Sequence, residues 1–173
     1  MPYKKWIREA WQKLEQDFLS GDFKPENEFD IQAHLYHCML ETKPERYKKD
    51  KNIILTTEYS RLGIDRRKVD LAILRKRERN KEDMPRLLIE IKETKTDNLN
   101  PKQVTKRIRK DIDKLKDVIS NRWGHKQKPV IVITFFYRGA KEGIHREIKK
   151  ELKEVAKRFK EESIIFLYGP KKT

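Results

Sequence analysis

Pro129 opens the run Val130-Ile131-Val132-Ile133-Thr134-Phe135-Phe136, in which Thr134 alone is polar. A strand with one wet face alternates apolar and polar residues, whereas a strand apolar on both faces is normally covered on both. The run therefore predicts an interior strand with helices packed above and below it. The flanking residues supply such helices. Val104, Ile108, Ile112, Leu115 and Ile119 recur at helical spacing and predict a helix from about Pro101 to Ser120. Ile144, Ile148, Leu152, Val155 and Phe159 predict another over Glu142 to Glu162, and Ile164 to Tyr168 reads as a last strand before Gly169-Pro170.

The N-terminal part completes the pattern. Ile7, Trp11, Leu14 and Phe18 predict a helix from about Lys4 to Leu19, which Gly21 and Pro25 interrupt. A second helix is expected from Glu26 to Leu40, with Ile31, Leu35 and Met39 on one stripe. Pro25 would serve as its first-turn proline, and its early acids suit the helix dipole. Ile53 to Tyr59, Lys68 to Leu74 and Leu87 to Thr94 carry the β-branched content and alternation of strands. The order α-α-β-β-β-α-β-α-β predicts an α/β chain, with a central mixed β-sheet flanked by helices in one domain over 1–173.

Composition bounds the partners. Charged residues make up 41% of the chain and hydrophobic ones 36%, a balance that could suggest disorder were the apolar residues not so regularly placed. The net charge of +15 produces a field that attracts polyanions, of which nucleic acid is the expected one. No stretch approaches the ~20 apolar residues that span a bilayer, so no membrane partner is expected. Cys38 is the lone cysteine, which excludes an intramolecular disulfide and suits a reducing, cytoplasmic setting.

Glu-x-Lys is a weak signal in so charged a chain. It occurs at Glu41/Lys43, Glu90/Lys92, Glu93/Lys95, Glu147/Lys149 and Glu151/Lys153, but only the Glu90 copy interrupts an apolar strand, Leu87-Leu88-Ile89-Glu90-Ile91-Lys92. Alternation puts Leu88, Glu90 and Lys92 on one face of that strand, and Asp70, Ala72 and Leu74 on one face of the strand before it. Between them Arg75 to Pro85 forms a charged connector, expected to be solvated and mobile. If the two strands pair as a hairpin centred near Asn80, Leu74 faces Arg86, Ala72 faces Leu88 and Asp70 faces Glu90.

Opposed carboxylates repel, and a divalent cation resolves the conflict. Mg²⁺ or Mn²⁺ takes oxygen ligands, which Asp70 and Glu90 supply, with the carbonyl of Ile91 as the candidate third. Such an ion activates a water and neutralises charge on a phosphate, while Lys92 can orient the water or stabilise the transition state. A surface salt-bridge face would explain Glu90 with Lys92, but not acids beside Ala72, Leu74 and Leu88.

These residues resemble the PD-(D/E)xK superfamily of restriction-endonuclease-like nucleases. Its pattern is an acid opening one strand, an acid-x-Lys on the next, and then a helix. Here it reads Val69-Asp70 and Glu90-Ile91-Lys92, with Val69 where a proline is usual. The resemblance implies an αβββαβ core over about 26–137, a helical extension over 1–22, and an extra helix and strand over 142–168. It implies divalent-metal-dependent hydrolysis of phosphodiester bonds in DNA, with a metal-bound water as nucleophile. Many members add a glutamate from the helix before the sheet. Glu28 is the choice here over Glu26 and Asp30, because it shares a face with Ile31, Gln32 and Leu35.

In the helix after the strand, Asp111-x-x-Lys114-Leu115 is similar to a segment that often faces DNA in the superfamily. That helix offers Lys106, Arg107, Arg109, Lys110 and Lys114 to phosphates, with Gln103 as an extension of the site. The superfamily also contains junction resolvases, RNA-processing enzymes and inactive relatives, so an inactive basic nucleic-acid-binding module is the alternative. With one active centre per chain, cutting both strands of a duplex requires a homodimer. His34, His37 and Cys38 fall within about one helical turn. Structural zinc wants four ligands, commonly from two paired segments, and these three are read as ordinary helix positions.

Overall fold

The computed structural model describes residues 2–59, 68–76, 83–94, 100–123, 129–137, 142–158 and 164–170. Along the chain run α1 (Pro2–Ser20), α2 (Glu28–Glu41), α3 (Glu45–Lys48), β1 (Ile53–Tyr59), β2 (Val69–Arg75), β3 (Met84–Thr94), α4 (Pro101–Trp123), β4 (Val130–Tyr137), α5 (Glu142–Arg158) and β5 (Ile164–Gly169). The predicted order holds, with α3 added. Its four residues are too few to show a period. Residues 77–82 of the charged connector lie outside the described residues, as does the end of the predicted last helix beyond Arg158.

The strands form one sheet in the order β1-β2-β3-β4-β5. β1, β2 and β3 are antiparallel neighbours, while β4 runs parallel to both β3 and β5. Both parallel connections pass through a helix. Successive right-handed crossovers that move the same way across a sheet place their helices on the same face, so α4 and α5 pack side by side there. The opposite face is left to α1 and α2. β4 is covered from both sides, and Val130 through Phe136 are all buried.

Among the described residues α1, α2, α4 and α5 bury the stripes their spacing predicts, while the side chains of Ile119 and Ile144 and the whole of Phe159 lie outside them. Ile7, Trp11 and Leu14 of α1 and Ile31, Leu35 and Met39 of α2 join Leu71, Ile73, Leu87, Ile89 and Ile91 in one core cluster. Val104, Ile108, Ile112 and Leu115 of α4, with Ile148, Leu152 and Val155 of α5, pack on Ala72, Leu88, Ile131 and Ile133 in the other. α2 begins later than predicted. Asn27 caps it, accepting from the Asp30 N–H at 3.1 Å, while the Asp30 carboxylate accepts from the Asn27 and Glu26 N–H groups. Pro25 therefore stands ahead of the cap and not in the first turn.

The β2–β3 register is the predicted one at Ala72↔Leu88, with Leu71↔Ile89 and Ile73↔Leu87 beside it. It slips by one residue beyond Ile73, so that Leu74 faces Pro85 and not Arg86. Pro85 has no N–H to give the ladder, and a bulge is where a strand can accommodate that.

Candidate active site

At the far end of the hairpin the ladder stops one pair short of Asp70 and Glu90. In that register the Ile91 N–H would next serve the backbone of β2. It donates instead to Asp70 Oδ2 at 2.6 Å. Asp70 thus reaches across to β3, and its carboxyl stands beside that of Glu90. Two carboxyl groups so placed hold a proton between them, or a cation in its place. Burial pushes Asp70 above the ordinary aspartate range, although the Ile91 N–H and Lys92 pull the other way. Glu90 is only 4% exposed, so little water screens the pair.

Lys92 lies one pleat further along β3. Its Nζ is 3.8 Å from Glu90 Oε2 and 3.5 Å from Asp111 Oδ2 on α4. Burial alone would lower the Lys92 pKa, but the nearby carboxylates of Glu90, Asp111, Glu28 and Asp70 outweigh it and hold the ammonium charged. Asp111 thus turns inward to Lys92. Its place on the stripe of Ile108, Ile112 and Leu115 is the signal that it would.

α2 closes the group from the other side. Glu28 Oε2 accepts from the Glu93 N–H at 3.2 Å. Its carboxyl is raised first by burial, with Lys92 opposing and Asp70 adding to the shift. One turn later Gln32, nearly buried, donates from Nε2 to the Asp70 carbonyl at 2.7 Å. That carbonyl would face the Glu58 N–H in β1, because the pairs Thr57↔Leu71 and Tyr59↔Val69 straddle those two residues. Glu58 instead takes a φ of 50°, a left-handed conformation that costs a non-glycine residue energy. Its carboxylate is held by Lys68 at 2.7 Å and by Gln32, and its charge reaches Asp70.

Glu58, Asp70 and Glu90 are therefore a row of acids on three successive strands, with Glu28 above them and Lys92 at one end. Glu58, Gln32 and Asp111 are the members that sequence reasoning missed. Of the residues predicted to meet nucleic acid, Gln103, Lys106, Arg107 and Lys110 are exposed on α4 and Arg109 is half-buried. Lys114 lies on the same helix, with its side chain outside the described residues. Among the described residues, Gln103 takes no part in the hydrogen bonding around Asp70.

A second polar group joins α1 to α2. His34 Nε2 lies 2.8 Å from Asp17 Oδ2, and Cys38 Sγ lies 3.8 Å from the same oxygen. Lys13 reaches both Asp17 oxygens at 3.3 Å. Sequence spacing groups His34, His37 and Cys38, whereas the fold sets Asp17, from another helix, against His34 and Cys38. Burial pushes the Cys38 thiol up to about 12, so it is no nucleophile at neutral pH.

No helix among the described residues is long and apolar enough to cross a membrane. Set against protein-family models, curated proteins and solved structures, the chain matches none of them.

Proposed function

We propose that this chain is a divalent-metal-dependent nuclease of the restriction-endonuclease-like kind, hydrolysing phosphodiester bonds in DNA in the cytoplasm. The observation that carries the reading is the meeting of Asp70, held on the Ile91 N–H, with buried Glu90 and its neighbour Lys92 at the end of two strands, in a chain of net charge +15. A buried pair of acids is costly to ionise, and a cation bound between them removes the cost. Glu28 supplies a further oxygen, and the backbone of Ile91, whose N–H already faces β2, supplies a carbonyl on that side. These are hard oxygen donors, as Mg²⁺ or Mn²⁺ requires.

The ion would bring a water of lowered pKa and neutralise charge on the phosphate. Lys92 stays protonated beside four carboxylates, so it serves as a cation and hydrogen-bond donor rather than as a base. Asp111 fixes the ammonium from α4, and Gln32 fixes the Asp70 backbone from α2. Lys106, Arg107 and Lys110 line the solvent side of α4, where the backbone of a nucleic acid can lie. Cutting both strands of a duplex would take a homodimer.

Labelled single-stranded, duplex and branched DNA, with RNA beside them, incubated with the full chain and Mn²⁺ test the reading. Cleavage by the wild type that disappears in Asp70→Asn and Lys92→Ala supports it. Cleavage that survives both substitutions removes the site. Salt-dependent binding with no cleavage of any substrate would identify a basic binding module instead.

A further inference from the structure

We infer that Asp17, His34 and Cys38 form a second metal site, one that takes a zinc-type divalent ion and fastens α1 to α2. Their ligand atoms, a carboxylate oxygen, an imidazole nitrogen and a thiol sulfur, all lie within 4.8 Å of one another. Two of the residues stand one turn apart on α2, at His34 and Cys38, and Asp17 meets them from the end of α1. In a tetrahedral zinc site, bonds of ~2.0–2.3 Å place neighbouring ligand atoms roughly 3.3–3.7 Å apart. The observed separations of 2.8 Å from His34 to Asp17 and 3.8 Å from Cys38 to Asp17 bracket that range, and His34 and Cys38 lie within 4.8 Å of each other, so a shift of about an ångström admits the ion.

The surroundings suit a fixed ligand set. The Phe23 ring stacks on His34 at 4.0 Å with an interplanar angle of 6°, which holds the imidazole edge-on to Asp17. Lys13 touches both oxygens of Asp17 and also Glu41, so it can keep Oδ1 while Oδ2 takes the ion. Cys38 is fully buried, and His34 is on the wall of a recess shared with Phe23, Lys24, Ala33 and His37, which gives the ion a way in. A mixed oxygen, nitrogen and sulfur set selects a borderline ion over Mg²⁺ or Ca²⁺. Three protein ligands leave a fourth position to water.

The site is independent of the acids around Asp70, and the test keeps it so. The full-length Asp70→Asn chain, stripped of metal, is titrated with Co²⁺ and then with Zn²⁺. The expected result is a thiolate-to-cobalt absorption band that saturates at one equivalent, bleaches as Zn²⁺ displaces Co²⁺, and is accompanied by a zinc-dependent rise in Tm. Cys38→Ala should abolish the band, and His34→Gln should weaken apparent affinity by more than roughly 100-fold, beyond what outer partners of a metal carry. Should Cys38→Ala fail to fold, His34→Gln decides, because that side chain is partly exposed. Absence of the band, or an affinity unchanged in His34→Gln, overturns the proposal.

Discussion

The face of the sheet under α1 and α2 buries Trp6, Trp11 and Phe136 among aliphatic residues, whereas the face under α4 and α5 is mainly aliphatic, with Phe135 buried and Phe166 and Tyr168 partly so, and is broken by Glu90. On the first face aromatic packing is combined with a buried hydrogen bond between helices. The Trp6 indole donates to the Met39 carbonyl at 2.8 Å. On the second face, acids stand at the end of a core that could have continued with leucine. One side of the sheet is given chiefly to packing, and the other gives up some stability to hold Glu90 at its end, where α2 adds Glu28 and Gln32 from across the sheet.

Substitutions on the two faces should therefore separate folding from activity. Asp70→Asn is expected to lower cleavage by on the order of 10³-fold while leaving Tm unchanged or raised, read by a cleavage assay beside thermal melting. Trp6→Ala should do the reverse, costing about 3–5 kcal/mol in urea unfolding through the lost ring and the orphaned Met39 carbonyl. A variant set that lost activity and stability together on both faces would end the distinction.

Smaller effects sharpen it. Replacing Lys106, Arg107 and Lys110 with Ala should reduce the slope of log Kobs against log salt for DNA by about one per residue, measured by anisotropy, with little change in Tm. The two polar groups should also answer pH in opposite senses in the metal-free chain. Asp70 is raised from 3.8 and Glu28 from 4.5, so each holds a proton more tightly folded than unfolded. Their contribution is complete at acid pH and falls as pH rises through the raised values. For Asp17, burial acts upward, but hydrogen bonds with His34 and Lys13 outweigh it and set the pKa below 3.8. Its contribution is present above 3.8 and is lost as pH falls through the lowered value. Urea midpoints across pH should lose the falling limb in Asp70→Asn and the acid-side loss in Asp17→Asn.

The elements were legible because periodicity reports on which side of a segment is dry, and nearly every one here has a dry side. The hairpin register at Ala72↔Leu88, which brings Asp70 near Glu90, was legible for the same reason, although the bulge at Arg86, beside Pro85, was not. Glu58 was hidden because it belongs to the acid row only through the β1–β2 register, and the reading of β1 specified none. Asp111 and Asp17 left a readable trace. Each occupies an apolar stripe, Asp111 between Ile108 and Ile112 and Asp17 between Leu14 and Phe18. What the trace could not give is the partner, because Lys92 and His34 come from elements whose docking is set by the whole fold.

The placement of α1 has a consequence for how the protein is made. Its aromatic stripe packs not only on α2 but across β4 to β5, with Trp11 and Phe18 set edge-on to Phe136. On the ribosome α1 emerges before the five strands of this sheet, and β5 after the other four. The aromatic stripe of α1 is therefore made before every strand that covers it, and its cover is complete only once β5 has followed.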